Sequence, residues 1–191
     1  MDQAVSHIRM SCYLELRRIA HLRPLISEDA AKQLVLSFVI SKLDYCNGLL
    51  FGITNKNIEK LQLIQNHAAR LVKRASKYDS ATSLLKELHW LPVSARVLYK
   101  TAVCAYRSIN DTEYPAYMKN LISLHIPPRS LRSSSKSKLD VPDSRLKTYG
   151  DRAFSFAAPD VWNSLPESVK SAKSLDVFKT KLKTHLFELH L

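Results

Sequence analysis

A chain of 191 residues, 46% apolar and 24% charged, has room for one large domain or two small ones, and this composition excludes a collagenous, low-complexity or wholly disordered protein. Three glycines against eight prolines leave few residues free to take positive φ, so tight hairpins and phosphate-cradling loops are expected to be scarce and the fold mainly α. The excess of 29 Lys and Arg over 17 Asp and Glu, a formal charge of +12, points to a polyanionic partner such as nucleic acid or an anionic surface, or to solvated basic faces with no partner.

In chain order, Val5, Ile8, Cys12, Leu16 and Ile19 recur at three- and four-residue steps and predict an amphipathic helix from Val5 to Leu22, stopped near Pro24. Ser27 is an N-cap candidate, followed by Glu28 and Asp29 where the helix dipole favours acids. That second helix runs through Val35, Phe38 and Val39 to about Tyr45 and is expected to be mostly buried. Asn47-Gly48 and Gly52 mark its exit. Thr54 or Asn55 caps a third helix over about Lys56 to Arg74, and a short fourth begins near Asp79 or Ser80 and ends before Pro92. Ser94 to Ile109 reads as a fifth, with Val97, Leu98, Ala102, Ala105 and Ile109 inward, and Tyr114-Pro115 opens a shorter sixth. His125 to Lys147 holds Pro127, Pro128, Pro142 and Ser133-Ser134-Ser135, which predicts a basic linker or partly ordered arm with an extended piece around Leu139 to Val141. After Gly150 come the aromatics Phe154, Phe156 and Trp162, and then Ser174 caps a last helix carrying Leu175, Phe178, Leu182, Leu186 and Leu189. The expected organisation is a bundle of about six helices over 1–122, a basic extended arm over 123–148, and a small aromatic-anchored C-terminal piece over 149–191.

On a wheel of ~100° per residue the third helix places Lys56, Lys60, His67, Arg70, Arg74 and Lys77 in one sector, with only Leu63 intruding. Ile58, Leu61, Ile64, Ala68, Leu71 and Val72 fill the sector opposite. A cationic stripe of this kind suits a phosphate backbone, because each neutralised phosphate releases condensed counterions; a plain solvated helix face has the same pattern. The candidate phosphate contacts are Lys56, Lys60, Arg70, Lys73, Arg74 and Lys77, with Arg129, Arg132, Lys136 and Lys138 of the arm as a flexible clamp. Gln62 and Asn66 flank the stripe and either donate to sugar or base edges or face solvent.

Chemistry of other kinds finds little support. Cys12, Cys46 and Cys104 form no C-x-x-C and read as buried or idle thiols of a reducing compartment, and the histidines lack metal-ligand spacing. No nucleophile elbow or Walker A can be built, and Glu28-Asp29 is better explained by helix capping than by metal-ion catalysis. No catalytic residue, metal or cofactor is expected. The start of the chain has no apolar leader and the stretch Leu34 to Ile40 is broken by Ser37, so neither secretion nor a membrane span is expected and the location is read as intracellular, cytoplasmic or nuclear.

Four stretches, taken together, resemble one family: Ser41-Lys42-Leu43-Asp44-Tyr45-Cys46-Asn47 with Leu49-Leu50; Leu61-Gln62-x-x-Gln65-Asn66-x-Ala68-Ala69-Arg70; Leu88-His89-Trp90-Leu91-Pro92-Val93; and Tyr149-Gly150-Asp151-Arg152-Ala153-Phe154 with Trp162-Asn163-Ser164-Leu165-Pro166. In order and spacing, from about Ile8 to Phe187, they look like the region after the polymerase palm in LINE-type, jockey-like non-LTR retrotransposon reverse transcriptases. The resemblance implies a thumb-like helical segment with a C-terminal extension, which in an RNA-directed DNA polymerase grips template RNA and the primer duplex. The family's aromatic-x-Asp-Asp polymerase motif is absent, as are the fingers and the endonuclease, so this chain alone is expected neither to polymerise nor to cut. The expected function is non-catalytic binding of RNA, DNA or an RNA-DNA hybrid. The rival expectations are a protein-interaction module docking on a polymerase palm or another protein, and a mobile-element remnant with no selected function. For Trp90, Trp162, Asp44 and Asn47 packing is the favoured explanation; Asp151-Arg152 is left open between a local ion pair and a phosphate contact.

Overall fold

The computed structural model describes residues 1–45, 47–125, 138–143 and 150–191. Apolar residues at helical spacing build most of it, and among the described residues the only β pairing is an isolated antiparallel bridge between Leu124 and Leu139. The chain divides into two compact units, one of residues 1–47 and 53–96 with the last two residues, the other of residues 48–52 and 97–189.

In the first unit α1 (Asp2–Leu22) buries Val5, Cys12, Leu16 and Ile19, four of the five residues its periodicity marks, with Ile8 half-buried. Pro24 ends it in a 3₁₀ turn, and Ser27 then accepts a hydrogen bond from the Ala30 amide at 3.2 Å, capping α2 (Glu28–Val35). The path continues through a π-helical turn, Leu36–Ile40, into α3 (Ser41–Asp44), so the expected single helix to Tyr45 contains a wide turn. Asp44 is held in a bidentate pair by Arg96, with Nε donating at 2.7 Å, and Asn47 also reaches it. Both side chains are thus engaged within the fold. Helix α4 (Asn55–Lys73) is central, packing on α1, α2 and α5 (Ala81–Leu88) and fully burying Leu61, Ile64, Gln65, Ala68, Ala69 and Val72. With so few glycines, α4 and α5 end on non-glycine left-handed residues, Arg74 at φ 51° and His89 at φ 56°. Trp90, next to His89, is buried as expected of a helix terminus packed by an aromatic. Helix α6 (Val93–Asn110) follows, and the division between units falls inside it, after Arg96, rather than at the expected 122.

In the second unit Phe178 of α10 (Leu175–His190) stacks on Tyr106 of α6 at 4.3 Å between centroids and on Trp162 of α8 (Phe154–Ser164) at 6.1 Å. Of the expected aromatic cluster Trp162 is fully buried, while Phe154 and Phe156 are half-buried. Ser174 caps α10 as expected, accepting from the Val177 amide; Phe178, Leu182 and Leu186 are buried and Leu189 is exposed. Two further short helices among the described residues are α7 (Ala116–Lys119) and α9 (Glu167–Lys170); α8 and α9 have no counterpart among the expected helices. The extended piece expected at Leu139 is present and anchored, because the Asn163 side-chain amide both donates to and accepts from the Leu139 backbone at 2.9 Å. That clasp accounts for Asn163 after Trp162 and makes 138–143 an ordered part of the expected arm. Arg152 donates to the carbonyls of Leu49 and Phe51, and its stem lies where a Cβ on Gly52, at φ 68°, would meet it at 2.9 Å. Arg152 therefore holds the 48–52 segment, which favours neither of the roles left open for it.

Candidate nucleic-acid interface

Helices α1 and α4 lie side by side and run parallel: Asn57 donates to Asp2 at 2.7 Å, the rings of Tyr13 and His67 sit 5.5 Å apart, and Arg23 reaches Leu71 and Val72. Beside this seam the ends of the two helices enclose an open groove of about 720 Å³ lined by Ala20, Arg23, Pro24, His67, Arg70, Leu71, Arg74, Ala75 and Lys77. Its lining holds four Lys or Arg and no carboxylate. A second concavity, of about 640 Å³, lies on the outer face of α1 and is lined by Ser6, Arg9, Met10, Tyr13, Leu14 and Arg17, again with no acid.

The cations differ in what they do. Arg23 is buried, and its guanidinium donates to the Leu71, Ile26 and Val72 carbonyls at 3.1, 3.0 and 2.7 Å, satisfying last-turn acceptors of α4. Arg74 answers it by donating to the Arg23 carbonyl at 2.8 Å and more weakly to that of Pro24. Arg70 donates to the Asp79 carbonyl, while the Asp79 carboxylate accepts from the Ser76 amide. Among the described residues none of Arg70, Arg74 and Lys77 is ion-paired with a carboxylate. Lys77 lies 4.9 Å from the ring centroid of Tyr78, and Arg9 5.8 Å from that of Tyr13. Partial desolvation and then the Arg70 charge push the imidazole of the largely exposed His67 below its usual pKa.

Other expected contacts are placed differently. Lys73 leaves the set, because Glu28 and Glu87 both bind its ammonium and hold its pKa above the usual lysine value. At the other end of α4, Lys60 donates to Asn57 at 3.1 Å and sits with exposed Lys56 near Asp2, whose carboxyl is lowered first by the Asn57 hydrogen bond and then by Lys60. Gln62 and Asn66 turn inward: Gln62 donates to Gln65 and Asn66 and accepts from the Val93 amide at 2.8 Å, while buried Gln65 donates to the Leu91 carbonyl. That network closes the corner before α6 and leaves Gln62 no free amide for a base edge. Lys138 is exposed; Arg129, Arg132 and Lys136 lie outside the described residues. Missed altogether are Arg9, Tyr13 and Arg17, whose part in the surface depends on which face of α1 meets α4.

Burial raises the Cys12 thiol to about 11, which keeps it an unreactive thiol at neutral pH. Among the described residues no group of three His, Cys, Asp or Glu comes together to hold a metal ion, and no helix is long and apolar enough to cross a membrane. Comparison with protein-family models, with curated proteins and with solved structures finds no match to this chain.

Proposed function

We propose that the chain is a non-catalytic nucleic-acid-binding segment of a retrotransposon-derived reverse transcriptase, gripping RNA, DNA or a hybrid through phosphates. The observation that carries the reading is the acid-free groove at the ends of α1 and α4, lined by Arg70, Arg74 and Lys77, none of them ion-paired with a carboxylate among the described residues. Unneutralised cations on a concave surface concentrate field and counter-ion, which is what a phosphate chain displaces on binding. The family resemblance supplies the polymerase context, and the absent aromatic-x-Asp-Asp motif makes the role non-catalytic.

Replacing Arg17, Arg70 and Lys77 together with glutamine is expected to flatten the dependence of log affinity on log salt by about 2 for a single strand, at about 0.7 per lost phosphate contact. Fluorescence anisotropy over a salt series measures it, with circular dichroism as the control for folding. An unchanged slope puts the contacts elsewhere.

A second reading, a protein-interaction module, is favoured by the exposure of Leu25 (83%) and Met10 (69%), apolar side chains left in solvent on the first unit.

A further inference from the structure

The two acid-free concavities of the first unit are joined by an aromatic pair. Tyr13 lines one, His67 the other, and their rings meet at 5.5 Å with planes 58° apart. Cations stand on both sides of this pair: Arg9 and Arg17 on the α1 face, Arg70, Arg74 and Lys77 around the groove. Tyr13 is half-buried, with the Arg9 guanidinium 5.8 Å from its ring centroid, and His67 is exposed, so a base stacking here takes the exposed side of His67 or displaces Arg9 from Tyr13. Exposed Met10 and Leu14 extend the apolar surface beside Tyr13. From Arg9 to Arg23 the path along α1 is about 20 Å at a rise of ~1.5 Å per residue, enough for several nucleotides.

A phosphate-only site has no use for rings at its centre. A duplex keeps its bases stacked inside and presents only its backbone to such a surface, whereas a single strand can lay a base on an aromatic ring while flanking phosphates meet the cations. We infer that the strip from Arg9 through Tyr13 and His67 to Lys77 binds single-stranded nucleic acid, with bases stacking on the Tyr13–His67 pair. The inference rests on the nucleic-acid reading above and narrows its ligand to an unpaired strand.

The test is anisotropy of the full chain with three labelled probes matched in number of phosphates: a base-bearing single strand, the same strand made abasic, and a duplex of half the length. The base-bearing strand is expected to bind at least about fivefold tighter than the abasic one, as one or two stacked bases would give. Tyr13→Ala is expected to remove most of that preference and Tyr13→Phe to retain it. The probe comparison on the unaltered protein needs no variant, so a misfolded Tyr13→Ala leaves the test intact. Equal affinity for abasic and base-bearing strands, or tighter binding of the duplex, overturns the stacking inference while leaving the nucleic-acid reading standing. Failure of all three probes to bind, or equal binding of polyglutamate of matched charge, overturns both.

Discussion

Replacing Phe178 with alanine is expected to cost about 3–5 kcal/mol of stability. Phe178 is fully buried, stacks on Tyr106 at 4.3 Å and 23°, and lies 6.1 Å from Trp162, so its ring is where α6, α8 and α10 meet. Truncation empties the centre of this cluster, and the surrounding rings cannot collapse without moving whole helices. Tyr106 is further fixed by its hydroxyl, which donates to the Ala172 carbonyl at 2.9 Å. Urea unfolding followed by tryptophan fluorescence measures the effect, and Phe178→Leu should cost roughly half as much. A loss under about 1 kcal/mol for the alanine variant would mean that the cluster does not organise this unit.

Arg23→Met is expected to destabilise the first unit by about 2–4 kcal/mol, because it removes a buried charged donor serving three carbonyls. The methionine fills the space but removes the Arg23 donors from the Val72 and Ile26 carbonyls and leaves the Leu71 carbonyl with only the long 3.4 Å bond from the Arg74 amide. Arg23→Lys should recover little of this, since one ammonium cannot span acceptors that a planar guanidinium reaches with three nitrogens. The local signature is faster hydrogen exchange at Ala75, whose amide now donates to the Arg70 carbonyl at 3.0 Å. Nucleic-acid binding should weaken in parallel, since the same turn carries Arg74 and Lys77 into the groove. Unchanged exchange at Ala75 would show that α4 holds its end without Arg23.

Local signals explain which parts of the fold were legible. Ser27, Ser80, Pro24 and Pro92 bound helices by rules that act within one turn, and the burial of α1 and α4 follows the spacing of their apolar residues. The π-helical turn at Leu36–Ile40 has no such marker, because its residues are apolar on nearly every side, and Phe38 ends 48% exposed where burial was expected. The sparse glycines predict few residues at positive φ, and no local signal says which other residues take it. Arg74 and His89 occupy the left-handed region instead, each closing a helix whose last carbonyls accept their amides.

For the candidate site a helical wheel finds the cations but not their partners. Lys73 meets Glu28, 45 residues away in sequence, and Gln62 meets Val93, 31 residues away. Long side chains are placed by which helices become neighbours, and single-helix periodicity carries no information about that. The same limit hid Arg9, Tyr13 and Arg17, which line a common concavity on α1.

The most direct test of the central claim is a salt series of anisotropy titrations of the unaltered protein against single-stranded RNA, single-stranded DNA and an RNA-DNA duplex of equal length. A nucleic-acid-binding role predicts binding that is tight at low salt and weakens steeply as salt rises, and the stacking inference adds that the single strands are held more tightly than the duplex. Absence of binding to all three at low salt would contradict it and leave the +12 charge with a solubilising role.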